Sequence, residues 1–402
     1  MKVVLTNIGT MISGDWRQPF IDGDALVMDN GRLGSIGTVA SGDIDSADLV
    51  VDAGGMTAIP GIIDSHVHIT FGDYTPRQKT VGFLESYLHG GITSCISASE
   101  IHVPGRPVDP AGIAALALAA QRCFQTYRPG GMRVYAGSVI MEPGLADAHF
   151  ESLAAEGVWL AKVGFGAFAK PVDVTPIVRS AQRHGFKVMC HTGGASIPGS
   201  APITADDLIT MQPDIAGHCN GGPVALSDAG LERVVKESTM ALQIAQAGNI
   251  RSAALTIRLA EANDQFDRVL ISSDTPTGTG VMPLGVIKSL TEMSTLTEVE
   301  PERIIATATG NCTRVYDLDA GLLKPDMAAD VTLIDASQGC TQSDALAAMR
   351  NGDIPAVAAV FSNGIPRFIG KSRNTPPPTR QLRITKNKVL QQFKEEGVHH
   401  CC

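Results

Sequence analysis

The sequence predicts an α/β protein: a (β/α)8 TIM barrel carrying a small β-sandwich domain built from both chain termini. Three observations lead to that reading. From residue 56 to 316, eight short apolar segments alternate with amphipathic or Ala-rich ones, over a length near the ~250 residues usual for such a barrel. Short alternating segments broken by turn residues fill 1–55 and return in 317–373. Several central apolar segments end in His, Lys or Asp, and a parallel barrel gathers its chemistry at its strand ends. An open doubly wound sheet is the rival, but no GxGxxG opens a helix after the first strand.

In order, 1–55 begins with Val3-Val-Leu-Thr-Asn7, then a hairpin in which Asn30-Gly31 joins residues 25–29 to 32–36. Asn-Gly supplies the positive φ angles of a two-residue turn. The barrel strands are expected at 58–68, 92–98, 133–140, 158–163, 187–191, 214–218, 240–246 and 268–274. Helices fall between them at 78–89, 111–126, 146–155, 174–184, 205–210, 226–236 and 252–263. In 317–373, residues 329–335 read as a strand, and Asn363-Gly364 turns a second hairpin. Residues 374–402 open with Pro376-Pro-Pro378, become polar, and are expected to form an arm or tail.

The 402 residues have a mean hydropathy of +0.10, enough for a large core, and a net charge of -9 with both signs scattered. That balance argues against nucleic acid or an anionic membrane as partner. None of the eight cysteines forms a CxxC, and most sit in apolar surroundings. The N-terminus lacks a signal-peptide pattern, and no apolar run approaches a membrane span. Reduced thiols and a cytoplasmic location are the expectation.

The densest motif is Pro60-Gly-Ile-Ile-Asp64-Ser-His66-Val-His68. Strand side chains alternate faces, so His66 and His68 share one while Val67 takes the other. A lone HxH more often marks hydrogen-bonded structural histidines than a metal site. Here strand four ends in Lys162, strand five in His191, strand six in His218 and strand eight in Asp274. Several N and O donors converging on one end of a barrel are what a first-row metal requires.

The ordered set HxH, Lys, His, His, Asp resembles the binuclear amidohydrolase superfamily. Longer strings resemble its enamidase-like cyclic amide hydrolases: residues 72–80, Pro104-Gly-Arg-Pro107, 191–200, 218–223 and 372–377. The resemblance implies His66, His68 and Asp274 on one divalent ion, His191 and His218 on a second, and Lys162 bridging; zinc comes first, with iron or manganese as alternatives. It further implies attack of a metal-bridging hydroxide on a cyclic amide, an enamide or lactam bearing a carboxylate, with Asp274 moving the proton. The chain departs from that group at Lys162, where the resemblance implies a bridging glutamate. No acidic residue lies between Glu156 and Asp173 to replace it. A free ammonium would repel two cations, so a CO2-derived carbamate on Lys162 is expected, as elsewhere in the superfamily.

Tyr74, Arg77 and Arg106 are candidates for the substrate carboxylate, since Arg offers a bidentate fork. Thr192 and Asn220 could orient the amide or satisfy their own loops. A hydantoinase- or dihydroorotase-like ureide hydrolase is the nearest alternative. A mononuclear deaminase would carry Glu soon after His191, where Thr192-Gly-Gly-Ala-Ser196 stands. A noncatalytic relative would have lost ligands, and none is missing. A homo-oligomer acting on a small molecule is expected.

Overall fold

A computed structural model of the chain describes residues 1–68, 80–100, 105–195, 199–221, 224–275 and 281–388. Parallel strands form the barrel: Ile62–Val67, Ile92–Ser97, a third in two pieces (Arg133–Tyr135 and Ser138–Ile140), Leu160–Val163, Lys187–Cys190, Ile215–Ala216, Ala241–Ala245 and Val269–Ser272. Ile62–Val67, Ile92–Ser97, Ala241–Ala245 and Val269–Ser272 are buried along their whole length, as covered parallel strands are. One apolar layer joins the strands to the surrounding helices through Val67, Val134, Ala161, Val188, Leu242 and Ile271. A second fills the barrel with Ile63, Ile96, Leu160, Met189, Ile215 and Leu270, stoppered by Tyr316.

Helix signals are local. In Pro110–Thr126, the Asp109 carboxylate accepts the Gly112 N–H at 2.9 Å and proline opens the first turn. In Ala205–Met211, Thr204 and Asp207 form a reciprocal cap. Among the described residues five α-helices had no counterpart in the sequence reading: Ser41–Ser46, Gly285–Leu296, Pro301–Ala306, Gly310–Tyr316 and Ala345–Asn351.

The sandwich combines both ends of the chain. One sheet runs Arg383–Asn387, Leu49–Asp52, Lys2–Thr6, Ala25–Asp29, Arg32–Gly37; the other runs Ile365–Ile369, Ala356–Ser362, Val331–Asp335, Thr57–Pro60, Thr10–Ile12, Phe20–Ile21. Val3, Leu5, Leu26, Met28 and Val51 of the first meet Ala58, Val331, Leu333 and Phe361 of the second. Both Asn-Gly turns have the expected positive φ, with Asn30 at 47° and Asn363 at 55°.

Three expectations change. The strand expected at 58–68 is two strands: Thr57–Pro60 pairs with Val331–Asp335 in the sandwich, and Ile62–Val67 begins the barrel. Gly61 is the joint; its N–H meets the Asp330 carbonyl at 2.8 Å, and a Cβ there would lie 2.2 Å from Thr93 Oγ1. The third strand breaks at Gly137 (φ 99°), where the buried Glu100 carboxylate accepts the Gly137 and Ser138 N–H groups at 2.6 and 3.1 Å. Within 374–402, Arg383–Asn387 is a sandwich strand, antiparallel to Leu49–Asp52, and not a loose tail.

Candidate metal centre and active site

A bulge in the first barrel strand aims the histidines. Register shifts between Asp64 and Val67, which sends Asp64 outward and lets His66 and His68 reach the mouth. Asp64 accepts from the Ser273 N–H at 3.0 Å and from the Ser273 hydroxyl, pinning the first strand to the eighth. Burial lifts the Asp64 carboxyl to about 7. Across the same seam, the Asp274 N–H donates to the His66 carbonyl at 2.9 Å and the His68 N–H to the Thr275 carbonyl at 2.8 Å. Asp274 sits in the left-handed region, φ 60°, which turns its carboxylate back over the strand ends.

His66, His68 and Asp274 therefore converge. Asp274 Oδ1 lies 3.1 Å from His66 Nε2 and 3.3 Å from His68 Nε2, and the three ligand atoms fit within 4.8 Å. Donors each about 2.0–2.1 Å from one tetrahedral ion stand about 3.3 Å apart, so these separations match a ligand set. Lys162, at the end of strand four, brings Nζ to 3.2 Å from His66 Nε2 and 3.1 Å from Met189 Sδ. On the far side, His191 Nδ1 lies 3.1 Å from His218 Nε2. The His66 and His218 rings are 5.4 Å apart, centroid to centroid, so the two groups adjoin.

Each orienting contact lies behind its ring. His66 Nδ1 meets Gln243 Oε1 at 2.6 Å, His68 Nδ1 meets Ser99 Oγ at 2.8 Å, and His191 Nε2 meets the Gly194 carbonyl at 2.7 Å. His218 Nδ1 is buried without a partner among the described residues. Burial depresses the His66 and His191 pKa values and takes His218 to about 3, which keeps these rings neutral with lone pairs available. Burial also lowers Lys162 to about 8. For Asp274 burial opposes ionisation, but the facing histidines outweigh it and hold the carboxyl well below its usual range. Neutral imidazoles, an ionised carboxylate and an amine near neutrality form a donor set that fits divalent cations.

The other candidates divide. Tyr74 and Arg77 lie outside the described residues. Arg106 is ion-paired to Glu142, just past strand three, and leans on Phe165, donating to its carbonyl at 3.4 Å. Asn220 gives both ends of its amide to backbone: Oδ1 accepts the Ala245 N–H at 2.9 Å, and Nδ2 donates to the Ala245 carbonyl at 2.8 Å. Thr192 is buried, its hydroxyl 3.4 Å from the Cys190 carbonyl. For these two, loop support is the role this geometry describes. The reading from sequence missed Gln243, Ser99 and Glu142. A lone amide inside Ala241-Leu-Gln243-Ile-Ala245 was a legible signal for the first.

A parallel barrel with imidazoles, a carboxylate and a lysine gathered at its strand ends is the framework of a metal-dependent hydrolase. Enamidase of Eubacterium barkeri is 41% identical over 384 residues, covering 95% of this chain and 99% of that one. A crystal structure of enamidase, described as a member of the amidohydrolase superfamily, superposes with a TM-score of 0.89 over 96% of this chain and all of that one. An imidazolonepropionase of Arthrobacter sp. is 35% identical over 101 residues, a quarter of each chain. No protein-family model matches the chain. The chain belongs to the amidohydrolase superfamily, as a close relative of enamidase.

Proposed function

We propose that this protein hydrolyses the C–N bond of a cyclic amide, an enamide or lactam bearing a carboxylate, using two divalent metal ions. The observation that carries this reading is the convergence of His66, His68 and Asp274 beside Lys162, in a chain that aligns with enamidase over nearly its whole length. His66, His68 and Asp274 would hold one ion, His191 and His218 the other, with Lys162 between them as a carbamate. Zinc suits the imidazole-rich set, and iron or manganese would also be accepted. When bound, the ions supply an acidified water as nucleophile and polarise the scissile carbonyl.

The chain's own residues do the rest. Asp274, with one oxygen facing both His66 and His68, takes the proton of the attacking water and delivers it to the leaving nitrogen. The buried histidines stay neutral and compete for no proton. Arg106 carries a charge balanced by Glu142, so it shapes the wall near Phe165, and Arg77 is the candidate clamp for the substrate carboxylate. We read the protein as a cytoplasmic homo-oligomer; the described cysteines are all free thiols, and no described helix is long and apolar enough to cross a membrane.

The test is a hydrolysis screen over six-membered lactams and enamides, with and without a ring carboxylate, alongside elemental analysis. Close to two metal equivalents per chain and preference for the carboxylated rings are expected. Asp274→Asn should lower kcat by about 10²–10⁴. Full turnover with one equivalent of metal, or a tenth of normal kcat in Asp274→Asn, would overturn the reading.

A further inference from the structure

Gln243 lies inside the barrel on strand seven, fully buried, and donates no atom to the ligand set. Its amide is oriented by the first strand. Nε2 lies 2.9 Å from Ser65 Oγ and 3.2 Å from the Ser65 carbonyl. A carbonyl only accepts, so the amide nitrogen must face it; the flipped amide would set two oxygens against each other. Oε1 is then committed to His66 Nδ1, at 2.6 Å. An amide oxygen likewise only accepts, so Nδ1 carries the hydrogen. A neutral imidazole has one N–H, which leaves His66 Nε2 a bare lone pair.

That lone pair points at Asp274 Oδ1, 3.1 Å away. Two acceptors at that distance repel unless a donor or a cation comes between them; Lys162 Nζ, 3.2 Å from the same nitrogen, can offer one N–H, and as a carbamate it would leave that place to the metal ion. Were Nε2 protonated, the same pair would make an ordinary His–Asp hydrogen bond, and the site would satisfy itself without metal. We propose that Gln243 is a positioning residue: by locking the Nδ1–H tautomer of His66, it denies the His66–Asp274 pair its hydrogen bond and keeps both donors available for a divalent ion. The inference rests on the metal-site reading above and adds the group that enforces it. Tyr316, whose hydroxyl lies 3.5 Å from the Ser65 carbonyl, extends the chain of support to the barrel's stopper.

The experiment compares full-length wild type, Gln243→Leu and Gln243→Glu, each loaded with zinc and challenged with EDTA. Losing an outer partner of a ligating histidine costs about 10–100-fold in metal affinity, so Gln243→Leu should release zinc at correspondingly lower EDTA. Gln243→Glu, which still accepts from Nδ1–H, should retain it better than Gln243→Leu. Nitrogen-15 spectra of histidine-labelled wild type, with His66 assigned by substitution, should show the proton on Nδ1 with and without zinc. Zinc retention in Gln243→Leu equal to wild type would overturn the proposal. So would a wild-type His66 protonated on Nε2, a result that does not depend on a Gln243 variant folding. A wild type that binds no zinc would overturn the metal-site reading as well, which separates the two failures.

Discussion

Lys162 is 2% exposed, its amine beside an imidazole nitrogen and a thioether sulfur, and burial weighs against the ammonium form. Its lowered pKa favours the form that reacts with CO2. Protein prepared with carbon-13 bicarbonate and metal should therefore show one carbamate resonance that vanishes on chelation. Lys162→Ala should lose it, bind metal poorly, and regain part of its activity with short carboxylic acids. A bare amine in fully active, metal-loaded enzyme would exclude the bridge. The ligand candidates were legible because each is a polar residue closing an apolar strand, where burial demands a reason. Gln243 was less so, since one amide in a buried strand does not say which histidine it faces. The Arg106–Glu142 pair was illegible because its partners follow two different strands, the second and the third, and meet only once those strands pair.

The strands themselves were mostly legible, and their interruptions were not. Residues 58–68 read from sequence as one strand, and what divides them is distant in sequence: the Asp330 carbonyl holding Gly61 and the Thr93 side chain filling the space beside it. Thr93 Oγ1 has no hydrogen-bond partner among the described residues, so its removal should be cheap. Gly61→Ala is predicted to destabilise by about 1–3 kcal/mol through overpacking, and Gly61→Ala with Thr93→Ala should recover much of that loss. Thermal melts of both proteins check this; a double variant no more stable than the single would show that crowding is not the cause. The strand Arg383–Asn387 was hidden for another reason. It lies at a sheet edge with its first three residues exposed, and so carries little apolar periodicity.

On the scale of the molecule, that edge strand covers the backbone of Leu49–Asp52, and a neighbouring stretch grips the barrel. The Ser372 hydroxyl donates to the His89 carbonyl at 2.6 Å, and the Asn374 amide to the Ser86 carbonyl at 2.8 Å. Phe368 stacks on the His89 ring, 4.3 Å between centroids. Truncation after Gln381 should lower Tm and expose a strand edge that promotes association, yet leave kcat per bound metal near wild type, because the ligand set is untouched. Light scattering, melting and turnover together decide it; a large fall in kcat per metal would mean that the last strand reaches the site. The seam between the first and eighth strands also has a consequence in time. Asp64 and Ser273, which clasp it, are 209 positions apart. A chain emerging from the ribosome displays His66 and His68 long before Asp274 exists, and such distant pairings form late. The full His66, His68 and Asp274 set therefore exists only once the ring has shut, so an ion held by all three would seal a finished barrel rather than nucleate one.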